Sequence, residues 1–330
     1  MLFETPEFLY YSLHFITIIT CPLNMFGIYC ILFKTPKIMS SVKWSLFNFH
    51  FWCLIFDLGD TVLSVPFLVF PALAGYPLGI LGTVFKVPTS IITYLILTFL
   101  CMVFDAMILI FENRFYQIFA TNTSWRYYRI PLIIFNYIIA VTFMIPIILA
   151  APDQALGLQV VFAKLPFLSD EIKSSPLYVI AIELSWVLLD LFFVAGLIIT
   201  EVTVFIVLIH WNLSLSLRKS VQSQQTMHLQ KKFLQAIYAQ AIAFAVACLI
   251  PYTYILFSII FEYYNQAGNN FIFIFLALHG LTSTVILLWA HKPYRKFCLQ
   301  LMENEKIFRI TINLLPFSRN ESRSTISVLY

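Results

Sequence analysis

Six carboxylates, Asp57, Asp60, Asp105, Glu183, Asp190 and Glu201, fall inside long apolar stretches that contain no Lys or Arg. An ionised carboxylate at the centre of a bilayer costs about 3 kcal/mol on insertion scales. Each must therefore be protonated, solvated by trapped water, bound to a cation, or paired with His14, His50 or His279. At about 100° per residue, Glu183, Asp190 and Glu201 form one stripe along one helix face. That stripe reads either as buried polar glue between helices or as a functional line, with Asp190 in a ligand cavity and Glu201 in a conformational network. Asp57 and Asp60, three residues apart, share a face; a membrane aspartyl protease needs its two carboxylates on different helices, so a water-filled polar core that takes a cation suits this pair better. Glu112-Asn113-Arg114 closes the apolar stretch that holds Asp105. Either this acid and base anchor a helix end, or they form a switch in which Glu112 restrains Arg114 at rest.

The elements that position these residues follow from composition. The 330 residues are 61% hydrophobic and 11% charged, against about 25% charged in a soluble domain, and the mean hydropathy is +0.87. Seven apolar runs are long enough to cross a hydrocarbon core of about 30 Å: 9–33, 44–70, 87–111, 130–151, 176–209, 233–261 and 271–290. The expectation is an all-α membrane protein, a seven-helix bundle spanning residues 1–308, with a flexible tail over 309–330. The first residues, MLFETPEF, carry two acids and no base, unlike the n-region of a cleavable signal peptide. With the N-terminus outside, 17 of the 20 Lys and Arg residues fall on the cytoplasmic side, as the positive-inside rule requires. The net charge of +4 then reflects orientation in the bilayer and not a nucleic-acid partner. All six cysteines lie in runs or on the inner side, so no outer-loop disulfide is expected. The sequons at Asn122, Asn212 and Asn320 face the cytoplasm in this topology and should stay unmodified.

After the seventh run, Pro293 opens a segment in which Tyr294, Phe297, Cys298, Leu301 and Met302 share one face and Arg295, Lys296 and Gln300 the other. This predicts an amphipathic helix over about 293–308 lying on the inner leaflet, with Cys298 a candidate for palmitoylation. Ser318, Ser322, Ser324, Thr325 and Ser327 in the tail are candidate kinase sites. No zinc-ligand pattern, phosphate-binding loop or nucleophile elbow occurs, so neither an enzyme nor a cofactor is expected. A retinal protein needs a Lys in the seventh run, and 271–290 has none.

Three separated segments carry a resemblance: KTPKIMSSVKWSLFNFHFW (34–52), FPALAGYPLG (70–79) and LHGLTSTVILLWAHKPYRKF (278–297). They resemble the signature segments of the nematode serpentine chemoreceptors of class H, over nearly the whole chain to about Phe308. The resemblance implies a seven-transmembrane G-protein-coupled receptor in the plasma membrane of sensory neurons, at their cilia, with a small-molecule chemosensory ligand and a heterotrimeric G protein as partners. Comparison with rhodopsin-like receptors adds that Asp57 in LIFDL resembles their second-span aspartate and that Cys248-Leu249-Ile250-Pro251 resembles Cys-Trp-x-Pro, with Leu249 where the tryptophan would stand. There is no Asn-Pro-x-x-Tyr in the seventh run.

The expected ligand site lies between the outer halves of the third, fifth, sixth and seventh runs, from Asp190, Glu183, Tyr252, Tyr254, Phe257 and His279. Abundant aromatic residues suit an apolar odorant; the unpaired acids suit an amine. Activation is expected to involve Asp57, Asp60, Asp105, Glu112, Arg114, Glu201 and the kink at Pro251. The alternative is a transporter or ligand-gated channel using the intramembrane acids.

Overall fold

The computed structural model describes the backbone of residues 2–218 and 224–314; of these, the side chains of residue 38, 216–230 and 304–314 are not described. Seven helices are long and apolar enough to cross a membrane: Pro6–Lys34, Ser40–Ser64, Thr89–Ala120, Trp125–Leu149, Leu184–Leu215, Lys231–Ile260 and Gln266–Ala290. They are numbered here as the first to seventh spans. Odd spans run from the face that carries the N-terminus, the N-terminal face, towards the opposite C-terminal face.

Local chemistry fixes many of the ends. The first span starts at Pro6, whose missing N–H is no loss at a helix N-terminus, and Thr5 Oγ1 accepts from Phe8 N at 3.2 Å as its cap. The seventh span is broken between Leu276 and His279. The amphipathic helix is present and longer than expected, Lys292–Leu314. The first six residues of the expected tail are therefore helical, while residues 315–330, with the candidate kinase sites, lie outside the described residues.

The chain is mostly helical, with seven membrane-capable helices as expected for a seven-helix bundle, and a small sheet is added to it. Two of the apolar runs contain strands of a three-stranded antiparallel sheet on the N-terminal face, β1 (Pro66–Leu68), β2 (Leu73–Pro77) and β3 (Tyr178–Ala181), in that order. The second span ends at Ser64 because Val65 takes a left-handed conformation (φ 46°) and Pro66 then begins β1. The fifth helix begins at Leu184, not at Pro176. Pairing sets Phe67 against Tyr76 and Ala74 against Val179. Gly75 lies so close to the Phe67 carbonyl that a Cβ would collide with it, so this hairpin requires glycine there.

The sheet has its own apolar core. Val65, Phe67, Val69, Ala74 and Val179 pack with Leu9 and Leu13 of the first span, Ala277 of the seventh, Val161 of a short helix, Gln154–Lys164, and Leu165, which caps its end. This cap covers the ends of the first, second and seventh spans. Below it, the third span is the axis of the bundle, packing on the second, fourth and fifth. Of its most apolar stretch 61% is buried, against 17% for the fifth span, which is therefore the most peripheral and lipid-exposed helix.

Candidate functional site

Three groups of polar residues interrupt the apolar interior. The first joins the first, second and seventh spans. Asn24 Nδ2 donates to Asp57 Oδ2 at 2.6 Å, and Thr284 Oγ1 donates to Asn24 Oδ1 at 2.7 Å. The break in the seventh span brings His279 Nδ1 to 3.0 Å from the Leu276 carbonyl and 3.1 Å from Asp57 Oδ1. Thr17 Oγ1 donates to Thr61 Oγ1 at 2.7 Å, and Thr61 Oγ1 in turn donates to the Asp57 carbonyl. Gly280 packs directly on Asp57, where any Cβ would collide with the carboxylate. Asp57 and His279 are both buried. His279 is thus a structural partner of Asp57 and does not line an open ligand site, which corrects that expectation. Asp60 is buried in the last turn of the second span, with Oδ2 unpartnered among the described residues.

The second group lies between the third, fourth and fifth spans. Asn136 Nδ2 donates to Glu201 Oε2 at 2.6 Å. Asp105 is within electrostatic reach of Glu201, and Cys101 within reach of both Asp105 and Asp190. The acids of the fifth span therefore turn towards the third and fourth spans, not into a space shared with the sixth and seventh. The stripe loses one member: Glu183 is exposed and precedes the first helical residue, Leu184.

Residues expected to line the ligand site from the sixth span separate. The Tyr254 hydroxyl donates to Asn269 Oδ1 at 3.0 Å and to the Asn265 carbonyl at 3.1 Å, tying the sixth span to the seventh. Phe257 is exposed on the bundle surface and packs on Phe261 and Tyr263. Tyr252 is half-buried, its ring 6.2 Å from Phe192 of the fifth span and its hydroxyl unpartnered. Pro251 lies inside the sixth helix.

The third group closes the C-terminal face and overturns the expected Glu112–Arg114 pair. Residues two apart on a helix point to different sides. Glu112, buried, accepts from Arg129 Nη2 at 3.0 Å and from Trp125 Nε1 at 2.8 Å, both in the fourth span. Arg114 turns to the sixth span, its guanidinium 4.2 Å from the centre of the Phe233 ring. Phe233 packs on His291 with ring centres 5.0 Å apart, and His291 on Tyr294 at 5.7 Å. The fully buried Tyr294 hydroxyl is 2.8 Å from Thr35 Oγ1 at the end of the first span. Burial, with the Arg114 charge nearby, pushes the His291 imidazole down to about 4, so it is neutral near pH 7. Sequence reasoning missed this chain of contacts, in which Phe233 meets Arg114, His291 bridges Phe233 and Tyr294, and Thr35 meets Tyr294. Cys298 is half-buried on the amphipathic helix, and all six cysteines are free thiols.

A profile of the family described as serpentine type 7TM GPCR chemoreceptor Srh matches residues 4–304. The chain is also similar to serpentine receptor class H-72 of Caenorhabditis elegans, 24% identical over 315 residues that cover 92% of this chain and 88% of that protein. The matched span runs from the cap of the first span into the amphipathic helix, and so takes in all three polar groups. The chain belongs to the Srh family of serpentine seven-transmembrane chemoreceptors of the G-protein-coupled receptor type.

Proposed function

We propose that this multi-pass membrane protein binds a small environmental molecule within its helix bundle and in response activates a heterotrimeric G protein at its C-terminal face. The N-terminus lies outside the cell, and the protein works in the plasma membrane of sensory neurons, at their cilia. Membership of a chemoreceptor family, which is not an enzyme family, supports this reading.

The observation that carries it is the closed junction on the C-terminal face. Arg114, Phe233, His291, Tyr294 and Thr35 join the third, sixth, seventh and first spans in one continuous set of contacts. A G protein needs a crevice at that face, and this junction fills it. The basic side chain that would meet the partner is stacked on an aromatic ring of the helix that must move. Ligand binding shifts the balance towards an open state only through contacts that differ between the two states. The buried Asp57–Asn24–Thr284–His279 group, which ties the first, second and seventh spans, is the element whose rearrangement would link the two faces. Pro251, which removes a backbone hydrogen bond inside the sixth helix, gives that span a point at which to bend. Palmitoylation of the half-buried Cys298 would fasten the amphipathic helix to the membrane beside the junction.

The test is expression of the chain in cells with a panel of volatile and water-soluble compounds, read by calcium or cAMP imaging. The expected result is a response to at least one compound that disappears in Arg114→Ala at equal surface level. A compound-evoked current or solute flux that persists without any G protein would instead favour a channel or transporter.

A further inference from the structure

The fourth span is broken between Thr142 and Ile145, where Pro146 offers no N–H to the Thr142 carbonyl. The third span holds the break from the side: the Tyr94 hydroxyl donates to the Val141 carbonyl at 2.8 Å. Towards the N-terminal face from this bond, the two spans leave a groove of about 210 Å³ between them, lined by Ser90, Ile91, Tyr94, Ile145, Ile148 and Leu149. A second cavity, between the sheet and the third span, has only about 20 Å³, room for a single water. The groove has the size of a ligand site.

Size, charge and shape identify the occupant. An apolar cavity of about 150 Å³ takes a benzene ring, so the 210 Å³ here suits a molecule of roughly eight non-hydrogen atoms. None of the lining residues is charged, nor is any residue over 87–104 or 130–151. An ion would give up its water there without gaining a partner, so the complementary molecule is neutral. Ser90 is half-buried and its hydroxyl has no partner among the described residues, whereas the Tyr94 hydroxyl is taken by Val141. One hydrogen-bonding group is therefore free at the outer end of an otherwise apolar wall. Ile91, Ile145 and Leu149 are exposed, so the groove opens sideways to the hydrocarbon, where apolar molecules collect. An acyl chain runs through about 15 Å of one leaflet, half of the hydrocarbon core. From Ser90 to Tyr94 the groove is one turn of helix deep, about 6 Å, which a compact molecule fills and a long chain overruns.

We propose that this groove binds a small neutral alcohol or carbonyl compound drawn from the bilayer, its polar group on the Ser90 hydroxyl and its apolar body against Ile91, Tyr94, Ile145 and Leu149. The binding stands on the geometry alone; that it produces a signal rests on the receptor reading. The groove lies between the third and fourth spans, apart from the site expected between the third, fifth, sixth and seventh.

The test uses the full chain in lipid nanodiscs, photolabelled with a diazirine-bearing pentanol and mapped by mass spectrometry, with 1-heptanol, heptane and heptylammonium as competitors. The expected result is saturable labelling of the segments 90–94 and 145–149, displaced by 1-heptanol, less potently by heptane and not by heptylammonium. Ile145→Trp, which fills the groove from its lipid-exposed side, should abolish the labelling, while Ile134→Trp, on an exposed part of the same span, should leave it unchanged. Ser90→Ala should raise the 1-heptanol concentration needed by about fivefold, the equivalent of one hydrogen bond, and leave heptane unaffected. Unfolding midpoints of the variants confirm that they fold. Labelling that does not saturate or that spreads over every lipid-facing helix would overturn the proposal, as would labelling of Ile145→Trp at the wild-type level or equal competition by heptylammonium. Labelling of the same residues by a diazirine-bearing phospholipid that 1-heptanol does not displace would overturn it too, and give the groove to an acyl chain. Saturable labelling without any calcium or cAMP response to 1-heptanol would leave the site standing and count against the receptor reading, whereas a response to other compounds with no labelling would overturn the groove alone.

Discussion

The stacking of Arg114 on Phe233 makes a quantitative claim about the resting state. A guanidinium over an aromatic face is worth about 0.5–1 kcal/mol when exposed and about 2 kcal/mol when desolvated. Phe233 is 8% exposed and the guanidinium is 4.2 Å from its centroid, so the contact belongs in the upper part of that range, about 1–2 kcal/mol. Phe233→Leu keeps the apolar bulk and removes the ring; Phe233→Tyr keeps the ring. If the contact holds the junction closed, the leucine variant should raise ligand-independent signalling by a factor of about 5–30, the equivalent of that energy. The tyrosine variant should stay near the wild type. The assay is nucleotide exchange on a co-reconstituted G protein, normalised to receptor number, so that a change in expression does not register. Unchanged basal exchange in Phe233→Leu would refute the argument. A rise of equal size in Phe233→Tyr would show that packing at this position, and not the charge over the ring, sets the balance.

Other contacts give sharper distinctions. Because Glu112 bonds to Arg129 and Trp125 and not to Arg114, Glu112→Gln and Arg129→Ala should lower surface level together and leave signalling per receptor unaltered; constitutive activity in Glu112→Gln alone would contradict this. Gly280→Ala forces a methyl group into the Asp57 carboxylate and should destabilise the folded receptor by about 1–3 kcal/mol, the usual range for overpacking, read as a lower unfolding midpoint in nanodiscs. Burial, with the Arg114 charge nearby, lowers the His291 pKa from its usual 6.5 to about 4, so the stability it contributes is complete above about pH 6.5 and falls as the pH drops towards 4. Basal exchange by proteoliposomes with the C-terminal face outward should therefore rise over that window and lose most of its pH dependence in His291→Gln.

How much of this was legible in the sequence depends on the range over which each signal acts. Span number came from hydropathy alone, because a bilayer demands about 20 apolar residues whatever their order. The same insensitivity to order hid the sheet. Val65, Phe67, Val69 and Ala74 are as apolar as a membrane helix, yet they lie in or beside the strands and form the core of the sheet. The cues were local and small: Pro66 directly after Val65, and Pro71, Gly75 and Pro77 within FPALAGYPLG, residues that end helices and allow close strand approach. Periodicity put Glu183, Asp190 and Glu201 on one stripe of the fifth run, but it could not say which neighbour that stripe faces. A helix face is a one-dimensional property, and the choice between the fourth and sixth spans depends on how seven helices pack.

The Glu112–Arg114 reading failed for a reason the sequence did contain. Two residues apart means about 200° apart on a helix, so a side-by-side pair was geometrically disfavoured, and each charge had to find a partner on another span. Glu112 found Arg129, which follows Trp125 by four residues and so shares its helix face. Both partners thus reach one buried carboxylate from a single turn of the fourth span. Arg114, facing the other way, met an aromatic ring instead of an acid. That leaves a cation at the bundle's C-terminal face without a counter-ion among the described residues, held by a weaker and non-ionic contact. A weak hold is what a switch needs: a salt bridge buried at this depth takes about 3–5 kcal/mol to break, whereas a contact of about 1–2 kcal/mol lies within the coupling energy that binding at a distant site commonly supplies.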